Sequence, residues 1–195
     1  DPKYNLFKPL LEFASEELCR LDAVRESPLI RVAGICGGTD QAVAEAETAQ
    51  ASGFHFGLLN LSAWKDAGLS ECVEHCHQVA KAIPLFGFYL QPAIGGRPLP
   101  YEFWRRFLEI EQVAAIKVAT FDRYQTLEVV RAVVDSGRDD VALYTGNDDN
   151  FIVDLISDYT FTRNCEIVRR NFVGGLLGHW ACWTHSAVKW LQWCH

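Results

Sequence analysis

The chain has 195 residues, 49% of them apolar and 22% charged, and a net charge of −7, which is the composition of one globular domain with a sizeable core. Its negative charge and scattered Lys and Arg exclude a binder that works by neutralising nucleic-acid phosphates or anionic lipid. No apolar run reaches the roughly 18 residues of a membrane span, so neither nucleic acid nor membrane is expected as a partner. Seven cysteines, an odd number without a CxxC pair, predict a reduced cytoplasmic protein, and no signal peptide opens the chain. The chain contains no Met and opens at Asp1. It therefore reads as a fragment or as a chain with residues omitted, incomplete at the N-terminus and perhaps at the C-terminus.

A leading helix is expected over Leu6–Leu21. Six short apolar, β-rich runs follow, roughly every 25 to 32 residues: Leu29–Cys36, Phe54–Leu61, Pro84–Gln91, Ala114–Thr120, Val141–Gly146 and Phe172–Gly178. Helical patterns lie between them, at Gln41–Ala51, Ser70–Ile83, Tyr101–Ile110, Tyr124–Ser136 and Phe151–Tyr159, and a last helix is expected over Trp180–Trp193. Strand, helix, strand in repetition means parallel pairing, and strands apolar on both faces are those covered by helices. An open doubly wound sheet would carry GxGxxG after its first strand. Gly34, Gly37 and Gly38 give only G-x-x-G-G. The fold class expected is α/β, a TIM (β/α)8 barrel over residues 1–195 as a single domain, with its first two strands absent from this chain.

Lys117 carries the main chemical signal. It lies inside Ala114–Thr120, where side chains alternate between faces. Ile116 and Val118 should meet the helix layer, and Ala115, Lys117 and Ala119 the other side, where small neighbours leave room around the amine. Burial lowers a lysine pKa, and a neutral amine is the nucleophile of Schiff-base chemistry. The alternative is a strand-end lysine that reaches water or pairs with Asp122 or Asp148. In Phe86–Pro92, Gly87, Tyr89 and Gln91 share a face, which would point Tyr89 inward on the strand before the lysine strand. Its phenol could relay protons, or it could be a core tyrosine with a satisfied hydroxyl.

Other clusters have two readings each. Cys72, His75, Cys76 and His77 suggest zinc or a solvated helix face, and the single helical stretch favours the face, so no metal is expected. Asn147–Asn150 could hold a divalent cation or cap a helix. Gly174–Trp180 reads as a phosphate loop with His179 as a base at its end, or as a tight turn. Trp180, Trp183, Trp190 and Trp193 fall at helical spacing and read as packing.

Phe88-Tyr89-Leu90-Gln91-Pro92, then Ala115-Ile116-Lys117-Val118-Ala119, then Tyr144-Thr145-Gly146-Asn147-Asp148-Asp149 resemble the Tyr-x-x-Pro, Ile-Lys and Ser-Gly-Asp strands of the dihydrodipicolinate synthase / N-acetylneuraminate lyase family, in order. Tyr89 and Lys117 stand 28 residues apart, one βα unit. The likeness covers roughly Leu29 to Trp180. It implies a class I aldolase or lyase that needs no cofactor and acts on a 2-keto acid such as pyruvate, in a homo-oligomer. Lys117 would form the iminium and Tyr89 would shuttle protons. Gly146, Asn147, Asp148 and Leu176 would contact substrate, with Arg97 reaching its carboxylate. The family's Gly-Thr-Thr-Gly-Glu segment is absent, and its Pro-Tyr-Tyr is replaced by Asn60-Leu61-Ser62-Ala63-Trp64, so a relay tyrosine is missing. That departure implies a divergent member with a different aldehyde or sugar-acid partner. Two rivals remain: a metal-assisted aldolase using Asp148, Asp149 and His179, and a silent barrel that serves as a binding module.

Overall fold

The structure, a computed structural model, describes residues 3–194; the side chain of His179 also lies outside the described residues. The chain divides into two compact units, residues 1–86 and 87–195. Both show the expected α/β alternation.

The first unit holds α1 (Phe7–Asp22), β1 (Val32–Ile35), α2 (Thr39–Ala51), β2 (Phe56–Leu59) and α3 (Leu69–Ala80). β1 and β2 pair in parallel, from Val32 opposite Phe56 to Ile35 opposite Leu59. α2 buries a stripe of Ala42, Ala46 and Ala49. Alanines at this spacing occupy one helix face, and their small side chains let the helix lie close to what it covers. α3 corrects one expectation. Its Cys72-to-His77 stretch is a buried face rather than a solvated one: Cys72 and Cys76 are 0% exposed and His75 is 1% exposed. Cys72, Cys76, Val79 and Ala80 recur at helical spacing and turn inward together, and only His77 of the cluster stays exposed. His75 lies 4.5 Å from Trp64, ring to ring, and its Nδ1 is 3.1 Å from Thr39 Oγ1. Burial pushes its pKa down to about 4. Among the described residues no group of three His, Cys, Asp or Glu could hold a metal ion.

β3 (Leu85–Leu90) opens at the end of the first unit and closes in the second. The second unit continues with α4 (Tyr101–Phe107), β4 (Val113–Ala119), α5 (Arg123–Ser136), β5 (Ala142–Thr145), α6 (Phe151–Ile156), β6 (Tyr159–Arg163), β7 (Glu166–Arg170), β8 (Phe172–Gly175), α7 (Gly178–Cys182) and α8 (Thr184–Cys194). Its sheet runs β3-β4-β5-β8, and β4–β5 and β5–β8 pair in parallel. α5 starts where the Asp122 carboxylate accepts from the N–H groups of Tyr124 and Gln125, at 2.8 and 3.0 Å. It ends at Gly137, whose φ of 74° suits a residue without Cβ.

Two elements differ from expectation. Tyr159 ends no helix; it opens the antiparallel hairpin β6–β7, whose turn residues Asn164 and Cys165 have φ of 52° and 65°. A two-residue turn with both φ positive matches the twist of the strands it joins. The hairpin is tied to the end of α5, where Arg163 donates to the Val134 carbonyl at 2.8 Å. The single last helix is broken at Trp183 into α7 and α8. Among the described residues no helix is long and apolar enough to cross a membrane.

Candidate active site

On β4, Ile116 and Val118 are fully buried, while Lys117 on the alternate face is half-buried. The register places Lys117 directly beside Tyr144 of β5, so Tyr144, and Gly146 two residues on, share the lysine's face. A Cβ added at Gly146 would lie 2.8 Å from Lys117 Cε and 2.8 Å from Ala119 Cβ. Glycine is therefore what lets the lysine stem pass, and the small-residue lining expected around the amine is there. On the other side, Lys117 Nζ stands 4.6 Å from the centre of the Phe88 ring.

Three influences set the charge of this amine. Burial, the largest, pushes its pKa below the ordinary lysine value of 10.5; the Asp148 carboxylate pulls the other way. The Phe88 ring also favours the ammonium. The net direction is downward. Among the described residues no carboxylate forms an ion pair with Lys117, and Asp148 acts on it through its charge alone.

The structure corrects the expectation for Tyr89. Phe88 is on the lysine face, so Tyr89 is on the opposite one. Tyr89 is 1% exposed, its ring centre lies 5.4 Å from that of Trp104 on α4, and its hydroxyl accepts the Leu99 N–H at 3.0 Å. Gly87 shares this face, where an added Cβ would come within 2.8 Å of Phe107. The glycine gives room to a helix, not to a substrate. Tyr89→Phe should therefore cost about 1–3 kcal/mol of stability, because a buried N–H loses its acceptor. Denaturant unfolding should show that loss, while any chemistry at Lys117 keeps its rate. A collapse of the chemistry with stability intact would restore the relay role.

Asn147 is also corrected. Alternation puts it with Thr145 on the helix-facing side, and it is 3% exposed. Its Nδ2 donates to Asp154 at 2.9 Å and Thr126 at 3.3 Å, and its Oδ1 accepts the Phe121 N–H at 3.0 Å. Every polar atom of the amide is committed to structure. Phe121, at φ 54°, is a strained non-glycine conformation of the kind that persists only where surroundings hold it. Asp148 is exposed, with its charge acting on Lys117. Asn150 occupies the N-cap position of α6, but its side chain donates to Asp149 and makes no cap. Leu176 is half-buried after β8, and its N–H donates to the Thr145 carbonyl at 2.8 Å. Arg97 is half-buried in the segment before α4. His179 begins the second position of α7, with its side chain outside the described residues. Of the expected residues, then, Lys117, Gly146 and Asp148 come together. Tyr144 and Phe88 join them; counting alternate residues across from Lys117 is the signal that would have found Tyr144.

Under the site lies a buried polar network. Asp154 of α6 is 0% exposed. Its carboxylate accepts from Thr145 Oγ1 (2.6 Å), Asn147 Nδ2 (2.9 Å), Arg123 Nη1 (2.6 Å) and Tyr159 Oη (2.8 Å). These bonds tie α6 to Thr145 at the end of β5, to Asn147 just after it, to Arg123 at the start of α5 and to Tyr159 at the start of β6.

No protein-family model matches the chain, and no curated protein sequence matches it. Solved structures do. Dihydrodipicolinate synthase from Aquifex aeolicus superposes with a TM-score of 0.75 at 14% identity, over 98% of this chain and 58% of that one. The enzyme from Agrobacterium tumefaciens gives 0.72 at 21%, over 96% and 58%. The chain has the dihydrodipicolinate synthase fold. That fold is a TIM barrel, as expected, and this chain spans 47% to 62% of the length of such structures. A third, the chloride-inhibited enzyme from Acinetobacter baumannii complexed with pyruvate, matches at TM-score 0.64 and 21% identity over 76% of this chain and 50% of that one.

Proposed function

We propose that this chain carries a Schiff-base-forming class I aldolase or lyase site that acts on a 2-keto acid such as pyruvate, with Lys117 as nucleophile. The observation that carries the reading is one amine, half-buried on a strand face lined by Ala119 and Gly146, with its pKa lowered by burial. The pyruvate complex of a structural relative supports the keto-acid class.

In this reading the neutral Lys117 amine adds to the keto carbon, and the resulting carbinolamine loses water to give an iminium. The iminium draws electrons from the neighbouring carbon, which gives up a proton and becomes an enamine. That carbon then attacks an aldehyde, and water releases the product and restores the amine; cleavage is the reverse. Tyr144, rather than Tyr89, is the phenol on the lysine face and would carry the protons. Asp148 would steady the ammonium between turnovers. Arg97 would meet the substrate carboxylate, a geometry its fork suits.

The test is the pH dependence of reductive trapping by borohydride with pyruvate. Only the uncharged amine attacks, so the trapping rate should climb with pH and level off below 10.5, the ordinary lysine value. Asp148 favours the charged form, so Asp148→Asn should move the midpoint lower still. A midpoint at or above 10.5 would contradict the buried amine. The stability linkage has the same sign. The unfolded chain holds this proton more tightly than the folded one, so stability gains from this group as pH rises towards 10.5.

A further inference from the structure

Phe88 owes its position to packing on the far side of its strand. Gly87 and Tyr89 turn towards α4: a Cβ added at Gly87 would come within 2.8 Å of Phe107, and Tyr89 lies 5.4 Å from Trp104, ring centre to ring centre. The Tyr89 hydroxyl also accepts the Leu99 N–H at 3.0 Å. These contacts fix the phase of β3, and alternation then puts Phe88 on the lysine face. The lysine stem runs past Gly146, where an added Cβ would meet Cε at 2.8 Å, and its Nζ stands over the Phe88 ring, 4.6 Å from the centre. The atom against the ring is the atom that reacts.

A phenylalanine ring neither donates nor accepts a proton. It offers Nζ the negative face of its quadrupole and a barrier to water. In the Schiff-base reading, on which this inference rests, Nζ is uncharged when it attacks and positive once water has left. The Nζ lone pair forms the C=N bond, the C–O bond breaks, and the oxygen leaves as water with the proton that Tyr144 carries. No oxidant or reductant is consumed. Positive charge thus develops on an atom already seated over the ring, with no rearrangement needed at the moment of reaction.

We propose that Phe88 is a catalytic residue of this site, whose ring face stabilises the positive charge that develops on Lys117 Nζ as the carbinolamine becomes an iminium. The ring acts on the resting ammonium in the same sense. It therefore raises the pH at which the amine is freed, and it speeds iminium formation once the amine is free. A ring that only fills space would leave a different mark. Losing it would admit water, and better hydration raises the pKa of an amine.

The test is borohydride trapping with pyruvate across pH, on the whole chain with altered rings at position 88. Tyr144, beside Lys117 on β5, and Asp148, whose charge acts on it, are the titratable groups around the amine among the described residues, and both stay in every variant. Fluorines draw charge from the ring face at nearly constant shape, so 4-fluoro-, 3,5-difluoro- and 3,4,5-trifluorophenylalanine should fold as the wild type does, which thermal unfolding checks. The trapping rate on the high-pH plateau should fall stepwise along that series, to about one third with three fluorines. The midpoint should move down at the same time, by about half a pH unit. Phe88→Leu should lower the plateau about threefold to tenfold, and Phe88→Tyr, which keeps the ring face, should stay within about twofold of the wild type. Equal plateau rates along the fluorine series, or a midpoint that rises, would reduce Phe88 to a wall and leave the lysine reading standing. A wild type that traps no pyruvate at any pH removes the Schiff-base reading and this role with it.

Discussion

Lys117→Arg should yield a folded protein whose keto-acid turnover falls on the order of a thousandfold or more, the scale seen when a covalent nucleophile is removed. Arginine keeps the length and the charge, and its guanidinium can still lie over Phe88. It does not deprotonate in a protein, so it cannot attack a carbonyl. Because the space beside Gly146 and Ala119 is tight, Lys117→Met is the useful companion. It matches the stem, removes the buried charge, and should unfold no earlier than the wild type. Steady-state turnover beside thermal unfolding of both variants separates lost chemistry from lost structure. A variant that turns over pyruvate at the wild-type rate would remove Lys117 from the reaction.

Asp154→Ala should cost about 3–5 kcal/mol in urea unfolding, the range for breaking a buried charge network by deleting one partner. Asp154 is 0% exposed and accepts four hydrogen bonds, and alanine strands all four donors. Arg123, whose side chain is 35% exposed, recovers some hydration, which places the expected loss near the lower end. The effect should reach the chemistry as well. Asn147, cut from Asp154, holds the backbone between Gly146 and Asp148 less firmly, so trapping at Lys117 should slow even where the variant remains folded. A loss under about 1 kcal/mol would mean that the four hydrogen bonds of this carboxylate do not hold the loop after β5 in place.

The alternation of β-rich runs with helical patterns was legible because each βα unit repeats the same burial problem, and all six runs became strands. The face of Lys117 was legible for a related reason: Ile116 and Val118 are bulky and Ala115 and Ala119 are small, which sets the phase of the alternation. β3 gave no such marker. Phe86, Phe88, Tyr89 and Leu90 are apolar on both faces, and the phase is decided by α4, whose Phe107 and Trp104 settle over Gly87. Asn147 looked like a strand-end residue open to substrate because its partner Asp154 belongs to the next helix. The hairpin was missed because Tyr159–Arg170 carries no long apolar run, although Thr160, Phe161 and Thr162 before Asn164 are a strand-and-turn signal. The tryptophans of α7 and α8 share helical spacing, but the break at Trp183 prevents them from forming one packed stripe, and Trp183, Trp190 and Trp193 stay exposed.

The most direct measurement is peptide mass mapping of the wild-type chain after borohydride reduction in the presence of pyruvate at neutral pH. One reduced pyruvate adduct is expected, on Lys117, with Lys65, Lys81 and Lys189 unmodified. Adducts spread evenly over those lysines, or an unmodified Lys117 in folded protein, would contradict it.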